Sequence, residues 1–145
     1  MTANVLNRFE QAVGNDNKLV IGGSFETEAG QDLKKVYITT SIADISTAGQ
    51  IYVVSPVAGT ISKIYSVING AIATANAVLT PKIAGTAITD GAITVAFSGS
   101  AAGDVDSSTP SALNTITAGA AIEIETDGAS TNTVEVVLTI EITLS

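Results

Sequence analysis

The chain has 145 residues, 46% of them hydrophobic, a formal net charge of −8, and neither cysteine nor histidine. Lacking thiols and imidazoles, it can form no disulfide, no thiolate zinc site, no cysteine nucleophile and no triad built on a histidine base. Only six Lys and Arg oppose fourteen acids, which disfavours nucleic acid as a partner.

A chain of this length can bury roughly two thirds of its unfolded surface, enough for one core without metals or disulfides. Its apolar side chains are mainly small or β-branched, set among many Thr, Ser and Gly, with aromatics at 4%. Such residues favour pleated sheets. No run of 18 apolar residues occurs, and the N-terminus has neither a basic start nor a continuous apolar stretch. Neither a membrane span nor a secretion signal is expected.

Residues 1–35 differ from the rest: they hold four bases and five acids, whereas residues 36–145 hold only Lys63 and Lys82 against nine acids. We read 1–35 as an N-terminal arm and 36–145 as the folded domain. In the arm, Val5, Leu6, Phe9, Ala12 and Val13 lie at helical spacing between cap candidates Thr2 or Asn4 and Gly14. About ten residues are too few for a stable isolated helix in water, so this stripe needs a surface, its own domain or a partner. A further short strand is a candidate over 18–26.

From Val36 onward, short runs alternate with turn residues, as in an antiparallel sandwich or barrel. The pattern predicts strands near 36–42, 50–55, 60–69, 77–84, 92–97, 121–126 and 133–144. In the last, every even position from Val134 to Leu144 is apolar, with mostly Glu or Thr between, the mark of a strand with one dry face. Ile93, Val95 and Phe97 alternate in the same way, as do Ile122 and Ile124 against Glu123 and Glu125. The run Ile61 to Ile68 breaks alternation, which a bulge or a strand covered on both faces explains. Pro81 cannot donate a ladder hydrogen bond, so its run is expected at a sheet edge. Asn69-Gly70, Asp90-Gly91 and Asp127-Gly128 mark tight turns.

The longest unpatterned segment, Ser98 to Thr115, is rich in Gly, Ser and Asp and is a candidate contact surface. Within it, Asp104 and Asp106 flank Val105, and alternate carboxylates can share a calcium ion with a hydroxyl such as that of Ser107. The match to a calcium loop is partial, with no following Asx-Gly and no terminal Glu, so these two are weak metal candidates and a solvated turn is the simpler reading. Glu123, Glu125 and Asp127 share one strand face, where mutual repulsion could raise a carboxyl pKa as acid catalysis requires. No cleft is evident, there is no Trp, and Tyr37, Tyr52 and Tyr65 lie in strands, so an exposed acidic face is the simpler reading. No phosphate-binding glycine motif occurs, and Ser55 to Gly59 reads as a tight turn between strands. No catalytic residue and no cofactor are expected.

Two stretches carry a resemblance: IYVVSPVAGTISKIYSVINGAI from Ile51 to Ile72, and SGSAAGDVDS from Ser98 to Ser107, continuing to AGAAIEIETDG from Ala118 to Gly128. Together they resemble small decoration, or cement, proteins of tailed-bacteriophage heads, over roughly residues 36–145. The resemblance implies an all-β, antiparallel β-sandwich of jelly-roll type on the capsid exterior, made in the bacterial host cytoplasm. It also implies a homotrimer that braces the major capsid protein without enzymatic activity. No catalytic residue carries over. The contact elements inferred beside it are the arm around Val5, Leu6, Arg8 and Phe9, and the Ser98 to Thr115 loop. The alternative is a β-sandwich head domain of a phage fibre or surface structure that binds a host receptor or glycan through its loop tips.

Overall fold

The computed structural model describes residues 34–145, and Lys35–Ser145 form one compact unit. This unit is all β. Its strands are β1 (Lys35–Ile42), β2 (Gly49–Val54), β3 (Gly59–Ile68), β4 (Ala77–Ile83), β5 (Thr86–Ala87), β6 (Ile93–Val95), β7 (Val105–Ser108), β8 (Thr115–Ile116), β9 (Ala121–Thr126) and β10 (Val136–Leu144).

The strands form two antiparallel sheets, one ordered β1-β10-β3-β7 with β8 also on β3, the other β2-β9-β4-β5 with β6 also on β4. Going out, the chain changes sheet at every step from β1 to β4; coming back, β8, β9 and β10 do the same. Outgoing and returning strands therefore lie side by side, β1 with β10, β2 with β9 and β3 with β7 and β8. A long hairpin wound over two sheets in this way is a jelly roll, the type of β-sandwich that the resemblance implies.

Alternation explains the packing. In β10, Val136, Leu138, Ile140 and Ile142 are buried while Val137, Thr139 and Thr143 are only half-buried. Ile61, Ile64 and Ile68 of β3 and Ile122 and Ile124 of β9 close the same core. The irregular run in β3 is a bulge: Glu141 faces Lys63 while Ile142 faces Ile61, so Ser62 is the extra residue. It switches the inward positions from odd (Gly59, Ile61) to even (Ile64, Ser66, Ile68), which keeps isoleucines inside on both sides of the slip.

Two expectations need correction. The Pro81 run is not an edge strand, because β4 pairs with β9 on one side and with β6 and β5 on the other. Pro81 accepts from the Ile88 amide at 2.9 Å on the β5/β6 side, so its own missing donor faces the gap between those two short strands. Phe97 is not a core residue: β6 stops at Val95, and Phe97 is 43% exposed where its amide bonds Asn76 Oδ1. Of the expected Asx-Gly turns, Asp90 (φ 56°) and Gly128 (φ 65°) take positive φ, and a further tight hairpin, Ala84-Gly85 at φ 50° and 76°, joins β4 to β5.

Candidate functional site

Gly and Ser dominate the segment from Ser98 to Thr115, yet it is tied down throughout. It contains β7, whose four residues Val-Asp-Ser-Ser give no hydrophobic alternation because only Ser108 among them is buried. Pairing with β3 and the bond from Ser108 Oγ to Gly91 O (2.7 Å) hold it instead. Beyond it, the Ser111 amide bonds Thr89 O (3.0 Å), and Asn114 Nδ2 reaches Ile61 O (2.8 Å). Between these anchors Leu113 stands 62% exposed at φ 55°, a conformation strained for a bulky side chain.

The weak metal candidates share one open cleft of about 200 Å³, lined by Ser98, Gly99, Ser100, Asp104, Val105 and Asp106. Asp104 Oδ2 accepts from the Ala101 amide at 2.7 Å, which is local turn chemistry. Asp106 lies in register with Ser66 on the inward side of β7. Burial pushes its carboxyl above the usual range, and Asp104 adds to this. Two carboxylates fall short of the six to eight oxygens calcium takes. Among the described residues no group of three or more Asp or Glu could hold a metal ion.

The carboxylates of β9 are brought together differently from expectation. Glu123 and Glu125 share the outer face of their sheet, but Lys82 of β4 stands between them, with Nζ in an ion pair to Glu125 and 3.8 Å from Glu123. The hydrogen bond to Glu125 chiefly holds the Lys82 ammonium above its usual value. Asp127 lies off that face: its Oδ1 accepts from the Val78 and Ala129 amides at 3.1 Å, closing the turn. One ammonium between two carboxylates leaves this face acidic by one charge. Beside it Tyr52 is 60% exposed and Val54 58% exposed, an aromatic surface that strand placement alone does not reveal.

On the other sheet's outer face, sequence reading missed Glu141. Its burial pushes the carboxyl up, but hydrogen bonds from Ser62, Lys35 and Tyr37 outweigh that and hold it below the usual range. The distances are 2.7 Å from Ser62 Oγ, 2.9 Å from Lys35 Nζ and 3.0 Å from Tyr37 OH. The available signal was a lone acid in β10, near the break in β3. The candidate contact residues Val5, Leu6, Arg8 and Phe9, and the strand candidate over 18–26, lie outside the described residues. Among those that are described, no helix is long and apolar enough to cross a membrane.

No protein-family model matches the chain, and no curated protein does. Among solved structures, it is similar to a chain of the cyanophage Pam1 capsid asymmetric unit, at 19% identity and TM-score 0.51 over 87% of this chain and 91% of that one. Two further similarities are to CsCBM6-3 from Clostridium stercorarium in complex with cellobiose and to a Bacillus endospore appendage. The first has 13% identity and TM-score 0.43 over 85% and 81% of the two chains; the second has 20% and 0.36 over 77% and 88%. The first of the three likenesses extends to the fold, and the other two fall short of that.

Proposed function

We propose that this protein is a structural component of a bacteriophage virion that binds the capsid exterior as a homotrimer and braces neighbouring major capsid subunits. The observation that carries the reading is the fold, similar over 87% of this chain to a chain of a cyanophage capsid asymmetric unit. The sequence resemblance to decoration proteins points the same way. A brace needs a rigid, soluble scaffold and exposed contact elements, and needs no catalyst. In this reading the chain is not an enzyme.

Two contact elements serve the role. The first is the arm around Val5, Leu6, Arg8 and Phe9. The second is the Ser98 to Thr115 segment, where the strained, exposed Leu113 is presented on a hydrogen-bonded frame. With three copies on one site, the second and third contacts become intramolecular, and avidity can add about 100-fold to 10,000-fold.

The test is to add purified protein to capsids of its phage that lack it and follow their thermal rupture. A higher rupture temperature, abolished by deleting residues 2–16 while the β circular-dichroism signal persists, supports the reading. An unchanged rupture temperature overturns the bracing role. Tyr52, exposed beside Glu123, is the one observation that favours a glycan-binding or receptor-binding head domain instead.

A further inference from the structure

The three Asx-Gly pairs, Asn69-Gly70, Asp90-Gly91 and Asp127-Gly128, share one chemical weakness, and the structure separates them. A glycine nitrogen can attack the side-chain carbonyl carbon of the residue before it, because glycine has no Cβ to obstruct the ring that forms. An amide already donating to an acceptor is held away from that attack. The Gly91 amide donates to Ile88 O at 3.1 Å, and the Gly128 amide donates to Thr126 Oγ1 at 3.4 Å. The Asp127 carboxylate is itself engaged, accepting from the Val78 and Ala129 amides. Among the described residues, none accepts a hydrogen bond from the Gly70 amide. Asn69 is also exposed, and the other described asparagines, Asn76, Asn114 and Asn132, precede Ala77, Thr115 and Thr133, whose side chains hinder the attack.

We infer that Asn69 is a site of spontaneous covalent modification, converted by water to aspartate and isoaspartate. The Gly70 nitrogen bonds to Asn69 Cγ and gives up its proton; the Cγ–Nδ2 bond breaks, and Nδ2 takes that proton and leaves as ammonia. Water then opens the cyclic imide at either carbonyl. One opening gives aspartate, and the other gives isoaspartate, in which the main chain runs through the former side-chain carbonyl. One water enters, one ammonia leaves, and no oxidant or cofactor is required. The chemistry is independent of the proposed function.

The surroundings of Asn69 make the products destabilising. Its Nδ2 donates to Glu135 Oε2 at 2.7 Å, and its main-chain N–H donates to Glu135 O at 2.9 Å. Aspartate there sets a second carboxylate against the first, replacing a hydrogen bond with repulsion. Isoaspartate also adds one carbon to the main chain between Ile68 and Ile72. These two residues anchor the start of the Ser98 to Thr115 segment: the Gly103 amide donates to Ile68 O at 2.8 Å, and Ser100 Oγ bonds the Ile72 N–H and carbonyl at 3.0 and 3.1 Å. Modification therefore loosens that segment at its base.

The experiment holds the full chain for weeks at mildly alkaline pH, folded and in denaturant, and maps its peptides by mass and by isoaspartate content. The expected result is conversion of Asn69 at a similar rate in both states, with Asp90 and Asp127 forming isoaspartate only in denaturant and Asn76, Asn114 and Asn132 intact in the folded chain. Gly70→Ala should abolish the conversion and keep the fold, because its Cβ would come no closer than 3.4 Å to Val134 Cγ2. Asn69→Asp should melt below wild type, and Glu135→Gln added to it should recover part of the loss. Asn69 that reacts in denaturant and stays intact in the folded chain overturns the inference, because the turn then protects it. Isoaspartate at Asp90 and Asp127 at equal rates in both states overturns the hydrogen-bond criterion that singles out Asn69.

Discussion

The Ser62 hydroxyl donates to Glu141 Oε1 at 2.7 Å across the β3–β10 pair, at the residue where the register slips. The bulge thus leaves one extra polar side chain on the outer face, and the nearly buried carboxylate uses it together with Lys35 and Tyr37. Replacing Glu141 with Ala would leave these donors facing an empty site at a cost of about 1–3 kcal/mol. Thermal denaturation of E141A checks this.

The pH dependence follows from the same group. A carboxyl held below its unfolded value of about 4.3 contributes stability that is present above that pH and is lost as pH falls through the depressed folded value. E141Q should therefore melt below wild type at neutral pH, with the gap narrowing below about pH 4. A gap that widens on acidification would contradict the ionised, hydrogen-bonded state of Glu141.

Ile124 and Ile140 are fully buried in the opposing sheets. An Asp at either position places an unpaired charge in the core and should cost more than about 4 kcal/mol, enough to unfold the domain. Asp at Thr39, exposed on the outer face of β1, should stay within about 0.5 kcal/mol of wild type. Equal melting temperatures for the three variants would mean the inward face is misassigned.

Two glycines separate space from backbone conformation. A Cβ on Gly59 would run into the Thr143 carbonyl and the Ile142 side chain, so Gly59→Ala must displace β10. Gly85 has open space around it but sits at φ 76°, so Gly85→Ala should cost only the left-handed backbone penalty of about 1–2 kcal/mol. Denaturant midpoints should rank wild type above G85A and G85A above G59A.

Asp106 has its carboxyl pushed above the usual range by burial and by Asp104, so its charge costs stability above the folded value and the cost disappears on protonation. Asp106→Asn should raise the melting temperature at pH 7, with the gain fading toward about pH 3. Millimolar calcium should leave the wild-type melting temperature unchanged, because two carboxylates supply too few ligands. A calcium-dependent rise that D106N abolishes would establish a metal site there.

Much of this fold is legible in the sequence because Ile, Val and Thr alternate cleanly in β9 and β10, and alternation is what one buried face imposes. The bulge in β3 was visible as a break in that alternation. Strands held by partners are not visible: β7 is paired to β3 through its backbone and buries only a serine, and β5 and β8 are two residues each. Pro81 misleads because proline forbids one hydrogen bond, not a place between two strands, and here the forbidden bond points into a gap. At the candidate sites, sequence places Glu123 and Glu125 on one face but cannot supply Lys82, which lies some forty residues earlier and arrives only through β4–β9 pairing.

The most direct test of the central claim is co-sedimentation of the purified protein with capsids of its phage that lack it. The account predicts saturable binding at a fixed number of copies per capsid. Failure to bind under conditions where the β-sandwich remains folded would contradict it and bring the receptor-binding or glycan-binding reading forward.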